Sequence, residues 1–173
     1  PLCLKRLRLR NDGSRRRRLA VTFYAEWTLG EHRENTQMHI VTQWDSQARA
    51  IFAYNRYQPD SADRVFYAAL TPPAHSSSAD RLEFLGRNGG MADPAALRRG
   101  WLSGRTGTRL DPCAALQIKL ELEPGETREV TFMLGQAASV KQARELIGKY
   151  SQDAAVEGAL KRTRLWWDRA LQA

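Results

Sequence analysis

Any chemistry performed by this chain must come from a short roster of side chains. Its three histidines, His32, His39 and His75, lack the i, i+4 spacing of a helical zinc pair, and the segment around His32 and His39 reads as extended. Each is expected to be a hydrogen-bonded or surface residue. Cys3 and Cys113 lie 110 positions apart, without a C-x-x-C partner or a neighbouring histidine to activate a thiol. A G-x-S-x-G elbow is missing, and Gly86–Gly90 (GRNGG) matches neither phosphate-loop nor dinucleotide patterns. Glycoside chemistry needs a carboxylic acid beside the scissile oxygen. Asp45, Asp60, Asp63, Asp80 and Asp111 all fall in or near turns, where an aspartate usually satisfies its own backbone. We therefore assign no catalytic residue, no cofactor and no metal. Recognition is better supplied. Trp44, Tyr54, Tyr57, Trp101, Arg56, Arg81, Arg87 and Asn88 offer the aromatic faces and planar donors that hydroxyl-rich ligands favour. For any one of them a core or structural role is the commoner alternative.

The elements that would position these groups are mostly strands. Leu7 and Leu9 alternate with Arg6, Arg8 and Arg10, the two-residue period of a half-buried strand. After the turn cluster Asn11–Ser14, apolar residues return at Leu19, Val21, Phe23, Ala25, Trp27 and Leu29, which predicts a hairpin with one dry face. A second hairpin is expected from Met38 to Tyr54, turning at Asp45–Gln47. A further strand follows at Asp63–Leu70. A third hairpin is expected from Leu116–Leu122 and Val130–Leu134 around Pro124-Gly125. Paired strands with alternating faces imply an antiparallel β-sandwich. Residues 71–112 read as a long irregular stretch, either a functional loop or a plain crossover. Beyond Gly135 the period becomes helical. Ser139 and Gln142 suggest a capping box, and a second helix is expected near 154–171. One residue of the Trp166-Trp167 pair is expected to pack on the sandwich, the other on something outside this stretch.

The 173 residues, 42% hydrophobic and 27% charged, fit an ordinary globular domain that needs no staples. No apolar run reaches the roughly 18–20 residues of a membrane span. The net charge of +8 is concentrated: residues 1–18 hold eight basic groups and one acid. Without interleaved aromatics or a recognition-helix pattern, this corner reads as the solvent face of two strands, and no nucleic-acid partner is assigned. Two reduced thiols and a cytoplasmic setting are expected. Starting at Pro1 and lacking a signal-peptide pattern, the chain reads as a piece of a longer polypeptide.

The stretch Phe23–Asn55, FYAEWTLGEHRENTQMHIVTQWDSQARAIFAYN, resembles the amino-terminal β-sandwich of the cellobiose and chitobiose phosphorylase family, formerly glycosyltransferase family 36. It is most similar to the phosphorylase-like regions of cyclic β-1,2-glucan synthases. DRLEFLGRN (80–88), LSGRTG (102–107) and LDPCAALQIKLEL (110–122) extend the likeness across most of residues 1–136. The resemblance implies a mutarotase-like supersandwich over residues 1–136, in whole or in part. Residues 137–173 would be linker helices leading to an (α/α)6 barrel, which lies outside this stretch. The general acid, an Asp, and most phosphate ligands would sit in that barrel. The parent chemistry would be inverting phosphorolysis of a β-glucan or oligosaccharide, and the sandwich would support the barrel, the sugar cleft or a homodimer contact. Within the sandwich, Arg81, Phe84, Arg87 and Asn88 are the first candidates for substrate binding: Arg81, Arg87 and Asn88 as donors to sugar hydroxyls, Phe84 as a wedge beneath them. The competing readings are an independent carbohydrate-binding module and a basic nucleic-acid or anionic-surface binder acting through residues 5–18.

Overall fold

The computed structural model describes residues 1–172. It places β1 (Leu2–Arg10), β3 (Ile40–Asp45), β4 (Ala50–Asn55), β5 (Val65–Thr71) and β8 (Thr127–Ala137) in a five-stranded sheet of order β1-β8-β5-β4-β3. A three-stranded sheet of order β2-β7-β6 is made by β2 (Arg17–Glu26), β6 (Ser76–Asp80) and β7 (Pro112–Leu122). Every pairing is antiparallel. The inward faces meet in one core of Trp27, Ile40, Ile51, Leu70, Leu116, Ile118, Leu122 and Val130, flanked by Val21, Phe23 and Phe132. Alternation in the sequence thus produced the expected sandwich.

Two of the expected hairpins do not form. β1 pairs with β8 and β2 with β7, so neither β1–β2 nor β7–β8 is a hairpin. At both connections the chain crosses from one sheet to the other. The dry faces of consecutive strands therefore oppose each other across the core instead of lying side by side. Asn11, 5% exposed, ties the two crossings together. Its Nδ2 donates to the carbonyls of Arg15 (2.8 Å) and Leu122 (3.0 Å), and its Oδ1 accepts from the Gly13 amide at 3.1 Å. Its own backbone bonds Glu126 and Gly125, the latter at φ 77 where glycine is favoured. The β3–β4 hairpin forms as expected, closed by Asp45 Oδ1 accepting from the Ala48 amide at 2.7 Å.

The outer faces are covered as well. Helix α3 (Val140–Tyr150) lays Ala143 and Ile147 on Phe52, Tyr67 and Met133 of the larger sheet. Its cap follows the expected box, shifted by one residue on the return bond: Ser139 Oγ accepts from the Gln142 amide, and Gln142 Oε1 accepts from the amide of Ala138, just before the cap, at 2.7 Å. The stretch 71–112 is less irregular than expected. Its serine run forms edge strand β6, followed by helix α2 (Arg81–Leu85) and a 3-10 turn at Ala95–Arg98. Pairing with β7 overrides the turn preference of serine. The segment with His32 and His39 is also not extended: it holds helix α1 (Arg33–Thr36) and a 3-10 turn, with Thr36 Oγ1 donating to the His32 carbonyl at 2.9 Å.

Helix α4 (Asp153–Leu171) forms where expected, but its tryptophans do not behave as expected. Trp166 and Trp167 are 59% and 53% exposed and touch each other edge-on, with ring centroids 4.7 Å apart. Only Val156 of this helix is buried, so neither indole rests on the sandwich. No helix among the described residues is long and apolar enough to cross a membrane. Both cysteines are free thiols, Cys3 exposed and Cys113 buried.

Candidate functional site

Strand β6 delivers the chain to α2 through an irregularity between Ser78 and Asp80. Asp80 then caps the helix: its Oδ1 accepts from the Leu82 amide (3.1 Å) and more weakly from that of Glu83, while its other oxygen pairs with Arg105 at 2.8 Å. Gly86 ends the helix at φ 88 and opens the exposed loop that carries Arg87 and Asn88.

Phe84 is 2% exposed and stacks on Tyr24 of β2, with centroids 4.6 Å apart and an interplanar angle of 16°. With Leu85, Ala96 and Leu102 it forms a small core on the outer face of the three-stranded sheet. Arg81 faces the other way. Its Nε donates to Glu26 at 2.8 Å and its terminal nitrogen reaches Asp111 at 3.3 Å. Arg33 binds the same Asp111, lies 3.5 Å from Glu26, and donates to the Trp27 carbonyl at 3.0 Å. The Tyr24 hydroxyl completes the group by donating to Glu26 at 2.8 Å.

Two guanidinium groups thus neutralise two carboxylates at one end of the smaller sheet. Partial burial favours the neutral acid of Glu26, but hydrogen bonds from Arg81 and Tyr24 and the charge of Arg33 outweigh it. The carboxyl is held below its ordinary range. Burial, then the bond to Glu26, pushes the Tyr24 phenol well up. The guanidinium of Arg81 is raised by its bond to Glu26 and stays charged.

Of the four residues singled out in the sequence, Arg81 and Phe84 are therefore built into the fold, and Arg87 and Asn88 stand in solvent. Glu26, Arg33 and Asp111 were missed as members of this cluster. The partners of Arg33–Asp111 and Arg81–Glu26 lie 78 and 55 positions apart, so no local motif announces them. Elsewhere, Trp101 is 62% exposed with Lys119 over its ring at 4.4 Å and His75 at its edge. The basic corner is largely self-compensated: Arg8, Arg10, Arg16 and Arg18 pair with Glu129, Asp12, Glu121 and Glu123. Among the described residues no group of three or more His, Cys, Asp or Glu side chains is placed to hold a metal ion.

The family model of the glycosyl hydrolase 94 supersandwich domain matches residues 1–153. The chain belongs to this family. It is 37% identical over 168 residues to the cyclic β-(1,2)-glucan synthase NdvB of Rhizobium meliloti, covering 96% of this chain and 6% of that protein. It is 30% identical to a cellobionic acid phosphorylase of Neurospora crassa, over 83% of this chain and 19% of the relative. An N,N'-diacetylchitobiose phosphorylase of Vibrio furnissii is 24% identical over 92% of this chain and 20% of its own length. The supersandwich seen here thus spans between 6% and 20% of these curated relatives.

Proposed function

We propose that this supersandwich is the non-catalytic support of a β-glucan-processing enzyme, with residues 1–136 as the sandwich and 137–173 as the linker to an (α/α)6 catalytic barrel. The observation that carries the reading is the state of the carboxylates. Among the described residues, each one withdrawn from solvent is paired with arginine: Asp45 with Arg144, Asp80 with Arg105, Glu83 with Arg99, Asp111 with Arg33 and Arg81, Glu126 with Arg128, and Glu129 with Arg8. A general acid needs the opposite environment, in which burial without a cation keeps its proton on. An arginine partner removes that proton.

The barrel would rest on the uncovered apolar side chains of α4, Leu165, Trp166, Trp167 and Leu171. Arg87 and Asn88, free in solvent beside the rigid Arg81 and Phe84, would then reach toward the sugar cleft or the neighbouring domain. The relatives, a cyclic β-(1,2)-glucan synthase and two disaccharide phosphorylases, support a β-glucan or β-linked disaccharide as the parent substrate, with phosphate as the second reactant.

The test is phosphorolysis. The 173-residue chain, given β-1,2-gluco-oligosaccharide and phosphate, is expected to release no glucose 1-phosphate. The full-length polypeptide is expected to release it, and to lose that activity when Trp166 and Trp167 are both replaced by alanine. Release by the chain alone overturns the proposal.

One groove favours a second reading, an independent carbohydrate-binding module. A cavity of about 580 Å³ between β3, β4 and the start of α3 is lined by Gln43, Tyr54, Arg56, Asp63 and Ser139 above apolar Val41 and Val65. Under that reading the isolated chain binds β-1,2-gluco-oligosaccharide in a calorimetric titration, and Tyr54→Ala abolishes the heat.

A further inference from the structure

Strand β7 sends alternate side chains to opposite sides of the smaller sheet. Leu116, Ile118, Leu120 and Leu122 enter the core, so Gln117, Lys119 and Glu121 stand on the outer face. Phe84 and its neighbours cover that face at its Ala115 end. Further along, the register sets Gln117 between Thr22 of β2 and Ser76 of β6, and sets Lys119 opposite Ala20.

One exposed aromatic ring borders this strip, and three contacts fix it. Trp101 is 62% exposed, but Leu102 after it is buried, and the Leu102 amide donates to Ser76 Oγ at 3.2 Å. The Lys119 ammonium lies 4.4 Å from the indole centroid. His75, whose amide donates to the Gln117 carbonyl at 2.8 Å, meets the indole edge-on with centroids 4.9 Å apart. The polar groups here are not all used by the fold. Gln117 is 2% exposed and its Nε2 donates to Thr22 Oγ1 at 3.2 Å, yet its Oε1 has no partner among the described residues, and neither has the buried Nδ1 of His75. Lys119 also lines a cavity of about 470 Å³ with Arg18, Ala20 and Glu121.

We propose that Trp101 and Lys119 form a saccharide-binding platform on the outer face of the smaller sheet. One pyranose of a β-linked glucan stacks on the indole, and the next enters the cavity beside Lys119. For the identity of the saccharide this rests on the reading of the parent as a β-glucan-processing enzyme. The chemistry selects the class of ligand. A β-glucopyranose carries its hydroxyls around its rim and C–H bonds on both faces, so it stacks on an aromatic plane while its rim needs donors and acceptors together. The platform has both: Lys119 donates and Glu121 accepts. The rival for a stacking ring near arginines is single-stranded nucleic acid. Charge disfavours it. Arg16 and Arg18 already pair with Glu121, and Arg16 also with Glu123, so the cations at this edge are compensated and its carboxylates repel phosphate.

The test mixes the 173-residue chain with a linear β-1,2-gluco-oligosaccharide and records saturation transfer by NMR from the protein to the sugar C–H protons. Transfer is expected, falling at least tenfold in Trp101→Ala and in Trp101→Leu, and persisting in Trp101→Phe, which keeps a flat ring. Because the indole is exposed, all three variants are expected to melt within about two degrees of the unsubstituted chain. No transfer to the sugar, or transfer unchanged in Trp101→Ala and Trp101→Leu, overturns the proposal. Loss in Tyr54→Ala alone moves the site to the groove between β3 and β4 and overturns it as well. Binding of oligodeoxythymidylate through Trp101, weakened by salt, while the sugar gives no transfer, overturns it in favour of nucleic acid. Binding is read without phosphate or product release, so this inference and the proposed function can fail separately.

Discussion

Asn11 shows how much of the fold rests on one polar side chain. Both its side-chain donors and its oxygen are hydrogen-bonded inside the structure, and its bonds to Arg15 and Leu122 join the two chain crossings. Asn11→Ala leaves the Leu122 and Arg15 carbonyls short of a donor, and is expected to cost about 1–3 kcal/mol, read as a lower urea midpoint with unchanged slope. Tyr67 makes the opposite case. It is fully buried, its hydroxyl has no partner among the described residues, and burial with Tyr150 nearby pushes its pKa up to about 12. Tyr67→Phe removes an unsatisfied polar atom while keeping the ring, so stability is expected to stay level or rise by up to about 1 kcal/mol in the same experiment. Of the candidate binding residues, Phe84→Ala empties the small outer core and is expected to cost about 3–5 kcal/mol. Arg87→Ala is expected to change stability by less than about 0.5 kcal/mol, so any effect on saccharide KM in the full-length enzyme reports contact and not folding. The sequence marked these residues by type. It did not separate the exposed pair from the built-in pair, because that depends on which element each side chain meets.

Among the elements, the strands other than β6, and helices α3 and α4, were legible, and most strand partners were not. Each strand's period fixes which side is dry, as in Leu116, Ile118, Leu120 and Leu122. A turn such as Pro124-Gly125 fixes a reversal of direction, but a reversal serves a hairpin and a sheet-to-sheet crossing equally well. Helices α3 and α4 differ in how they are held. α3 is pinned by its capping box, by Ile147 and by Arg144, which grips buried Asp45 at 2.6 Å in the β3–β4 turn. α4 is held by buried Val156 and by Glu157, which pairs with Arg6 of β1. Replacing Trp166 and Trp167 by alanine is accordingly expected to leave the melting temperature of the 173-residue chain within about a degree, since neither ring is buried. A large drop, measured by circular dichroism, would show that the two indoles pack on the sandwich in solution.

At the scale of the whole molecule, the ion pairs make stability depend on pH in one direction. Burial opposes ionisation of Asp45, but Arg144 and the Ala48 amide outweigh it, and its carboxyl, like that of Glu26, is held below the usual range. A group depressed in the folded state stabilises it fully above its unfolded pKa, about 4 for these carboxyls, and the gain is lost as pH falls through the folded value. The melting temperature is therefore expected to be flat with respect to these groups between about pH 5 and 8 and to fall steeply below about pH 4. Asp45→Asn should flatten part of that fall by removing one depressed carboxyl. A melting profile that declines instead between pH 7 and 5 would show that these pairs do not govern it.

Hydrophobic period, turn residues and caps act over a few neighbours, so the sequence by itself determined that this chain is a β-sandwich with helices at its end. Its quoted segments also carried the family. Which strands share a sheet, and how residues 26, 33, 81 and 111 converge, were decided only in the tertiary structure. These depend on contacts between residues tens of positions apart, and core packing of whole sheets, not local preference, selects among the pairings that the same alternating pattern allows.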